Sequence, residues 1–265
     1  MATYDSVSPR SDSRLAWDYL APFCGSVLHA LAVSRSAQIA QLGCNDGYLL
    51  PSLFELMPDA HVYGVDASRE SLNMAARRAP QGGVFVPTWG DGFPSELPAT
   101  AFSHAFAVHP TSIVRTAALD ELVRLVAPHG QVVLAMPGGN SYLELFDLLR
   151  EFALKKDAND LAAVIENNAL SELTLARAMS EMRVRGLEYV EGSESAFLLA
   201  FESSEALFSS VSAVGYVLPE LAASLGLSPF AQAFSYVGDA IDKYWSDGTF
   251  TLSVEVMCVT GRKRG

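Results

Sequence analysis

In the first half of the 265-residue chain, short apolar runs alternate with amphipathic segments. Short apolar runs bounded by turn residues are typical of buried strands. Amphipathic segments of about 10–15 residues between them are typical of helices that cover a parallel sheet. We predict strands within 37–43, 61–68, 83–91, 101–110 and 131–139. We predict helices within 17–33, 48–57, 68–79 and 117–130. The alternation indicates an α/β sheet with helices on both faces.

The pattern changes after Gly139. Residues 141–185 hold no glycine or proline and read as an inserted cap of two or three helices. Further on, helical spacing appears at 204–214 and 229–245, and the alternation at 249–262 predicts a closing strand. We therefore divide the chain into an N-terminal helical or lid segment, an α/β core, a helical cap and the remainder of the core: 1–36, 37–140, 141–190 and 191–265.

Charge and cysteine content narrow the function classes. The net charge of −12 disfavours a nucleic-acid partner, because an acidic surface repels phosphates. Three cysteines without CxxC spacing predict neither a disulfide framework nor a zinc site, and no two histidines or cysteines have metal-ligand spacing, so we expect no metal. The start lacks a signal-peptide pattern, and no apolar run is long enough for a membrane helix. We expect a cytoplasmic protein with no membrane partner.

The turn after the first predicted strand is the first place to look for a ligand site, because ligands bind at the carboxyl ends of strands in such sheets. It reads Gly43-Cys44-Asn45-Asp46-Gly47. A dinucleotide fingerprint needs glycine at its second and third glycine positions, where this chain has Asn45 and Tyr48. A pyrophosphate needs close backbone approach at the second position, so a dehydrogenase is disfavoured.

The stretch Gln41-Leu42-Gly43-Cys44-Asn45-Asp46-Gly47 instead resembles the first motif of class I S-adenosylmethionine-dependent methyltransferases, an acid-x-G-x-G-x-G loop. Gly43 and Gly47 match that motif. Asn45 replaces its central glycine, and Asn tolerates left-handed backbone angles better than most residues. Gln41 replaces its leading acid and removes the charge beside the methionine ammonium of the cofactor. "SRESLNMAARR" and "ALDELVRLVAPHGQVVLAMP" are also similar to family segments, in the right order.

This resemblance implies a Rossmann-like sheet of seven mostly parallel strands, with helices on both faces, an inserted helical cap and a closing antiparallel strand. It also implies S-adenosyl-L-methionine as cofactor, with S-adenosyl-L-homocysteine as product. Asp66 would accept the ribose hydroxyls, and Asp91 would accept from the adenine amino group. The implied cofactor-binding residues are Tyr4, Gln41, Gly43, Asn45, Gly47, Asp66, Ala67, Asp91, Gly92, Phe93 and Val108.

His109 is the candidate catalytic residue, because it follows the fourth strand and its ordinary pKa suits proton transfer near neutrality. The alternative is that it packs against the cofactor or caps the turn before Pro110. A base is needed only for an acceptor that is a poor nucleophile when protonated. The candidate substrate-binding residues are Trp17, Tyr142 and Phe146, and Tyr19 lines the same pocket or packs the first helix.

The acceptor stays open at this point. The layout of the cap resembles malonyl-carrier-protein and trans-aconitate carboxyl methyltransferases, and also natural-product O- or N-methyltransferases. We therefore expect a small-molecule acceptor, and a homodimer is compatible with the sequence. The alternative is a non-catalytic relative that binds the cofactor, or has lost it, and acts as a partner subunit. Gln41 and Asn45 motivate this second interpretation.

Overall fold

The computed structural model describes residues 17–80, 83–90, 92–167, 173–225 and 230–265. These residues form a seven-stranded sheet with the order β3-β2-β1-β4-β5-β7-β6. The strands are β1 (Gln38–Leu42), β2 (His61–Asp66), β3 (Val84–Trp89), β4 (Phe102–Val108), β5 (Val126–Pro137), β6 (Leu187–Phe201) and β7 (Phe250–Lys263). The helices are α1 (Trp17–Ala30), α2 (Leu50–Leu56), α3 (Arg69–Arg78), α4 (Ser112–Leu125), α5 (Leu143–Lys155), α6 (Asn159–Glu166), α7 (Leu175–Val184), α8 (Ser204–Ser209), α9 (Leu218–Leu225) and α10 (Phe230–Tyr244), with a π-helical segment at Ala213–Val217. No helix in the described ranges combines the length and apolarity needed to cross a membrane.

The predicted fold class is confirmed. Strands β1 to β5 pair in parallel, β7 pairs antiparallel with β5, and β6 pairs antiparallel with β7. The closing strand predicted at 249–262 is β7. The predicted helix at 117–130 instead occupies 112–125, and β5 begins directly after it. Pro128 lacks the N–H that a continuing helix would need.

Side chains of the central strands alternate between two buried clusters, which lie on opposite faces of the sheet. In β1, Ile39 belongs to one cluster, while Ala40 and Leu42 belong to the other. Helices α1, α2 and α5 bury apolar residues in the first cluster, and α4 and α7 bury theirs in the second. Because both faces are covered, the central strands are mostly apolar rather than alternating in polarity.

In the structure, the segment 141–190, which we predicted to be a helical cap, differs from one continuous layer in two respects. Helix α7 packs Ala178 and Met182 into the second cluster, whereas α5 and α6 pack into the first, so the three helices are divided between the faces. The boundary at 190 also falls inside β6, which runs from 187 to 201. Much of this strand is exposed, so its residues lack the apolar alternation that sequence patterns detect.

The pair β6–β7 forms an arm beyond the carboxyl edge of the parallel strands. Strand β5 ends at Pro137, which pairs with Val256. The pairs from Ala196–Glu255 to Phe201–Phe250 continue past it, a length of roughly 20 Å at the usual strand rise. Helices α8 to α10 are inserted at the end of this arm and, with α5 and α6, form the roof of the molecule.

Candidate functional site

The turn after β1 is built by residues with positive φ angles. Gly43 and Gly47 have φ of +66° and +77°, and Asn45 has φ of +48°. Asn45 therefore adopts the left-handed conformation that its position in the motif requires. The N–H groups of Gly43 and Cys44 donate to the carbonyl oxygen of Val65 at 2.8 and 3.1 Å, which joins the turn to the end of β2.

Gly47 lies directly against α3. A Cβ atom at this position would come within 2.8 Å of the Ala75 Cα and of the Leu50 side chain. Together with the positive φ, this close approach leaves room for glycine alone. By contrast, a Cβ built on Gly43 would meet no atom within 4 Å. The turn is thus packed against the protein at Gly47 and open at Gly43.

Asp66 is held by backbone donors at the end of β2. Its Oδ2 accepts from the N–H of Asn45 at 2.8 Å, and its Oδ1 accepts from the N–H of Ser68 at 2.9 Å. Burial raises the pKa of Asp66, and hydrogen bonds from backbone N–H groups of Ser68, Asn45 and Ala67 oppose this effect. A carboxylate oxygen accepts more than one hydrogen bond, so Asp66 keeps acceptor capacity toward a ligand.

Asp46 is a second buried carboxylate in the turn, and sequence reasoning assigned no role to it. It is 2% exposed and pairs with Arg78 of α3, with 2.7 Å between Oδ2 and Nη1. This ion pair ties the turn to the helix that follows Asp66. The signal available in the sequence was an acidic residue between the two motif glycines. A buried charge in such a turn needs a partner of opposite charge.

Gln41 is fully buried near the carboxyl end of β1. Neither Nε2 nor Oε1 of its side chain has a hydrogen-bond partner among the residues that the structure describes. Buried amides are nearly always hydrogen-bonded, because leaving them unpaired costs about 1–3 kcal/mol. The orphaned amide is therefore a candidate contact for a polar ligand or a water molecule.

The predicted adenine-side residues lie in the turn after β3. The N–H of Gly90 donates to the carbonyl oxygen of Asp66 at 3.1 Å, which brings this turn beside the end of β2. The Phe93 ring is 38% exposed, and a Cβ built on Gly92 would meet nothing within 4 Å. Val108 is buried at the end of β4. Tyr4 and Asp91 lie outside the described residues.

His109 is buried immediately after β4, with a positive φ of +51°. Its Nε2 lies 2.6 Å from the Tyr19 hydroxyl, which is in turn hydrogen-bonded to the Tyr142 hydroxyl. Its Nδ1 has no hydrogen-bond partner within the described part of the chain. Burial lowers the pKa of His109 from 6.5 to about 4, so the imidazole is neutral at physiological pH. It can accept a hydrogen bond but is a weak base.

Tyr216 of the π-helical segment covers this group from the roof. Its ring stacks on Tyr19 with centroids 5.2 Å apart and meets the His109 ring edge-on at 5.3 Å. Burial raises the pKa of Tyr216, and the negative charges of Asp46 and Asp66 raise it further. Asp46 and Asp66 are therefore within electrostatic range of the group around His109. π-Helical segments are frequent at functional sites, but no sequence pattern around Tyr216 indicated this placement.

The other predicted substrate residues are not gathered here. The Trp17 ring packs edge-on against Tyr48 at 5.8 Å and is 38% exposed. Phe146 is buried in the first apolar cluster. Of that predicted set, only Tyr142 joins the His109 group directly. Within the described ranges, no three His, Cys, Asp or Glu side chains are grouped so as to hold a metal ion.

A mostly parallel sheet with a glycine turn after its first strand and a carboxylate after its second defines an α/β protein with its ligand site at the carboxyl edge. Residues 39–130 match the family model described as a methyltransferase domain. The chain therefore carries a methyltransferase domain of the class I fold, which confirms the resemblance seen in the Gln41–Gly47 motif.

Individual proteins agree with this assignment. The uncharacterized methyltransferase YdaC of Bacillus subtilis (strain 168) is 27% identical over 112 residues, which cover 41% of this chain and 61% of that protein. The match thus spans less than two thirds of this relative's length.

Solved structures show the same fold. The YcgJ protein from Bacillus subtilis superposes with a TM-score of 0.54 at 13% identity, over 92% of this chain and 99% of that one. Phosphoethanolamine N-methyltransferase 2 of Haemonchus contortus, in complex with S-adenosyl-L-methionine, gives a TM-score of 0.54 at 13% identity, over 97% of this chain and 58% of that one.

Proposed function

We propose that the protein transfers a methyl group from S-adenosyl-L-methionine to a small-molecule acceptor. The observation that carries this proposal is the hydrogen bond from the N–H of Asn45 to Asp66, which joins the two strand ends at the carboxyl edge. The methyltransferase-domain match covers both residues. A neighbour of the same fold holds S-adenosyl-L-methionine, which supports the choice of cofactor.

The residues present fit this cofactor. The open space at Gly43 leaves room beside the turn, and the orphaned amide of Gln41 lies near the end of the same strand. Asp66 would bind the ribose hydroxyls. Gly92 and Phe93 would border the adenine from the adjacent turn. Gln41 would hydrogen-bond the methionine end without a full charge, in place of the acid that the family motif has.

When bound, the cofactor supplies a sulfonium methyl group, so the protein's main task is to align the acceptor with that methyl group. His109 and Tyr142 are suited to this task because buried hydrogen bonds to the Tyr19 hydroxyl hold both side chains. We propose that His109 contacts the acceptor through Nδ1, the ring nitrogen without a partner.

Burial and net charge support a small acceptor, and the cysteines support a reducing compartment. The group around His109 is buried beneath the roof, which suits a small molecule better than a polymer, and the net charge of −12 opposes nucleic acid. The three cysteines are buried and unpaired, which is typical of cytoplasmic proteins.

Calorimetric titration of S-adenosylhomocysteine into the protein tests the proposal. We expect saturable binding, and we expect Asp66→Asn to weaken it at least about tenfold, since charged hydrogen bonds contribute about 1.5–3 kcal/mol. The matched control is Asp59→Asn, in an exposed turn before β2, which should bind as the wild type does. Absence of binding by the wild type would refute the cofactor assignment. Unchanged affinity in Asp66→Asn would refute this site.

A further inference from the structure

The neighbours of His109 are aromatic on several sides. Its ring lies 5.2 Å from Tyr19, 5.1 Å from Phe23 and 5.3 Å from Tyr216, measured between centroids. Phe197, from the β6–β7 arm, packs edge-on against both Tyr19 and Phe23 at 5.9 and 6.1 Å. Aromatic ring faces carry partial negative charge, so such an enclosure is favourable to cations.

Basic side chains take no part in this enclosure. In the portion of the chain that the structure describes, the hydrogen bonds and ring contacts of Tyr19, His109, Tyr142 and Tyr216 include no lysine or arginine.

Carboxyl groups lie near the enclosure. Asp46 and Asp66 lie close enough to Tyr216 to raise its pKa. Glu220 is 1% exposed and accepts from the N–H of Ser112, three residues after His109. The surroundings of His109 thus combine aromatic faces with carboxylates.

We propose that the methyl acceptor is a small amine, which approaches as the free base and donates an N–H to Nδ1 of His109 inside this aromatic enclosure. This inference rests on the proposed methyl transfer. The imidazole tautomer it requires has its proton on Nε2, where it donates to the Tyr19 oxygen at 2.6 Å. Nδ1 is then a bare acceptor that orients the amine nitrogen.

Other acceptor classes fit this enclosure less well. A buried carboxylate or phenolate needs a cation beside it. Among the described residues, no lysine or arginine contacts the ring group, and the nearby Arg78 and Arg115 lie beside Asp46 and Glu220 instead. An alcohol must lose its proton to react, and a histidine whose pKa is about 4 is too weak a base for that task. A free amine carries a reactive electron pair and needs no base.

The charge balance of amine methylation also fits. The amine nitrogen gives its electron pair to the methyl carbon, and the carbon–sulfur bond breaks toward the sulfur of the sulfonium donor. The positive charge moves from sulfur to nitrogen, and the product ammonium releases its proton to solvent as it leaves. Aromatic faces would stabilise the positive charge that develops on the amine nitrogen.

A matched ligand series tests the amine assignment in the complex with S-adenosylhomocysteine. Benzylamine, benzyl alcohol and benzoate share one ring and differ in the polar group. We expect calorimetric titration at pH 9.5, where much of the benzylamine is uncharged, to show benzylamine binding at least tenfold more tightly than either other ligand. Equal affinities, tighter benzoate or benzyl alcohol binding, or no benzylamine binding would overturn the amine assignment.

Variants of Tyr216, which covers the enclosure from the roof, separate a loss of amine recognition from a general loss of structure. Tyr216→Leu should weaken benzylamine binding about fivefold or more, whereas Tyr216→Phe keeps a ring and should bind within about twofold of the wild type. The matched control is Tyr189→Leu, because Tyr189 is 80% exposed on β6. Equal benzylamine affinity in Tyr216→Leu and the wild type would overturn the enclosure. If S-adenosylhomocysteine fails to bind the wild type, the proposed function itself fails, which is a distinct result.

Discussion

The hydroxyl oxygen of Tyr19 lies 2.6 Å from Nε2 of His109, although 90 positions separate the two residues. Tyr19 comes from α1, and His109 directly follows β4 at the carboxyl edge of the parallel strands. Both side chains are buried, so water does not replace either partner if the other is removed. Among the described residues, Nδ1 of His109 has no hydrogen-bond partner, so it is the nitrogen proposed to meet an acceptor.

We expect Tyr19→Phe to lower the free energy of unfolding by about 1–3 kcal/mol, because it leaves His109 and the Tyr142 hydroxyl without their shared partner. Urea unfolding of the protein measures this change. Removing Tyr142 as well should cost less than the sum of the two single changes, because one hydrogen bond joins both hydroxyls. Strict additivity in the Tyr19→Phe, Tyr142→Phe cycle would contradict the coupling.

Gln41→Leu should separate stability from ligand binding. Leucine has a similar size and removes two unpaired buried polar atoms, so we expect the unliganded protein to gain about 1 kcal/mol of stability. The affinity for S-adenosylhomocysteine should fall, since the amide is the proposed contact to the methionine end. Unfolding in urea and calorimetric titration measure the two effects. A variant that is both destabilised and unchanged in affinity would show that the amide has a structural role.

Gly47→Ala should destabilise the protein by more than about 2 kcal/mol and abolish measurable ligand binding. Its Cβ would overlap the Ala75 backbone, and its φ of +77° is strained for alanine. Gly25→Ala is the matched control, because Gly25 lies inside α1 and a Cβ there meets nothing within 4 Å. The control should be neutral or stabilise the protein by up to about 1 kcal/mol. Equal effects of the two substitutions would refute the close approach at Gly47.

Acid should destabilise the protein through His109. The pKa of His109 is about 4 in the folded protein, and its unperturbed value is 6.5. Between these pH values, the unfolded chain therefore binds more protons than the folded protein does. Stability is therefore unaffected above pH 6.5 and falls as the pH drops toward 4, by up to about 3 kcal/mol.

Unfolding free energies measured across this window test the effect. His109→Asn should flatten the dependence, and asparagine tolerates the positive φ of this position. The exposed His29→Asn should keep the wild-type dependence. If the unfolding free energies of the wild type and His109→Asn have the same slope against pH, the lowered pKa does not belong to His109.

Sequence patterns predicted the parallel core because their signals are local. The apolar runs around Ile39 and Val62 and the turn from Gly43 to Gly47 each depend on neighbouring residues, and each appears in the structure where expected. The same holds for Asp66, which comes at the end of a strand whose length and place are readable from the chain.

The course of β6 and the side of the sheet that α7 covers were not predictable in the same way. Strand β6 is largely exposed, so it lacks the apolar alternation that marks β7. The amphipathic pattern of helix α7 shows only that one face of the helix is buried. In the structure, this face packs on the side of the sheet opposite to the side that α5 covers. Phe146 illustrates the same limit, since helical spacing could not distinguish a core residue from a pocket residue.

By itself, the sequence determined the class I methyltransferase domain, with its parallel sheet, its glycine turn and the carboxylate after β2, because period, turn chemistry and motif spacing act over a few residues. Only the tertiary structure decided what surrounds His109. Tyr19 and Tyr142 meet at their hydroxyls across 123 positions, and Tyr216 arrives from the roof. Burial by these distant rings also sets the pKa of His109, because desolvation depends on what packs around a group rather than on its neighbours in the chain.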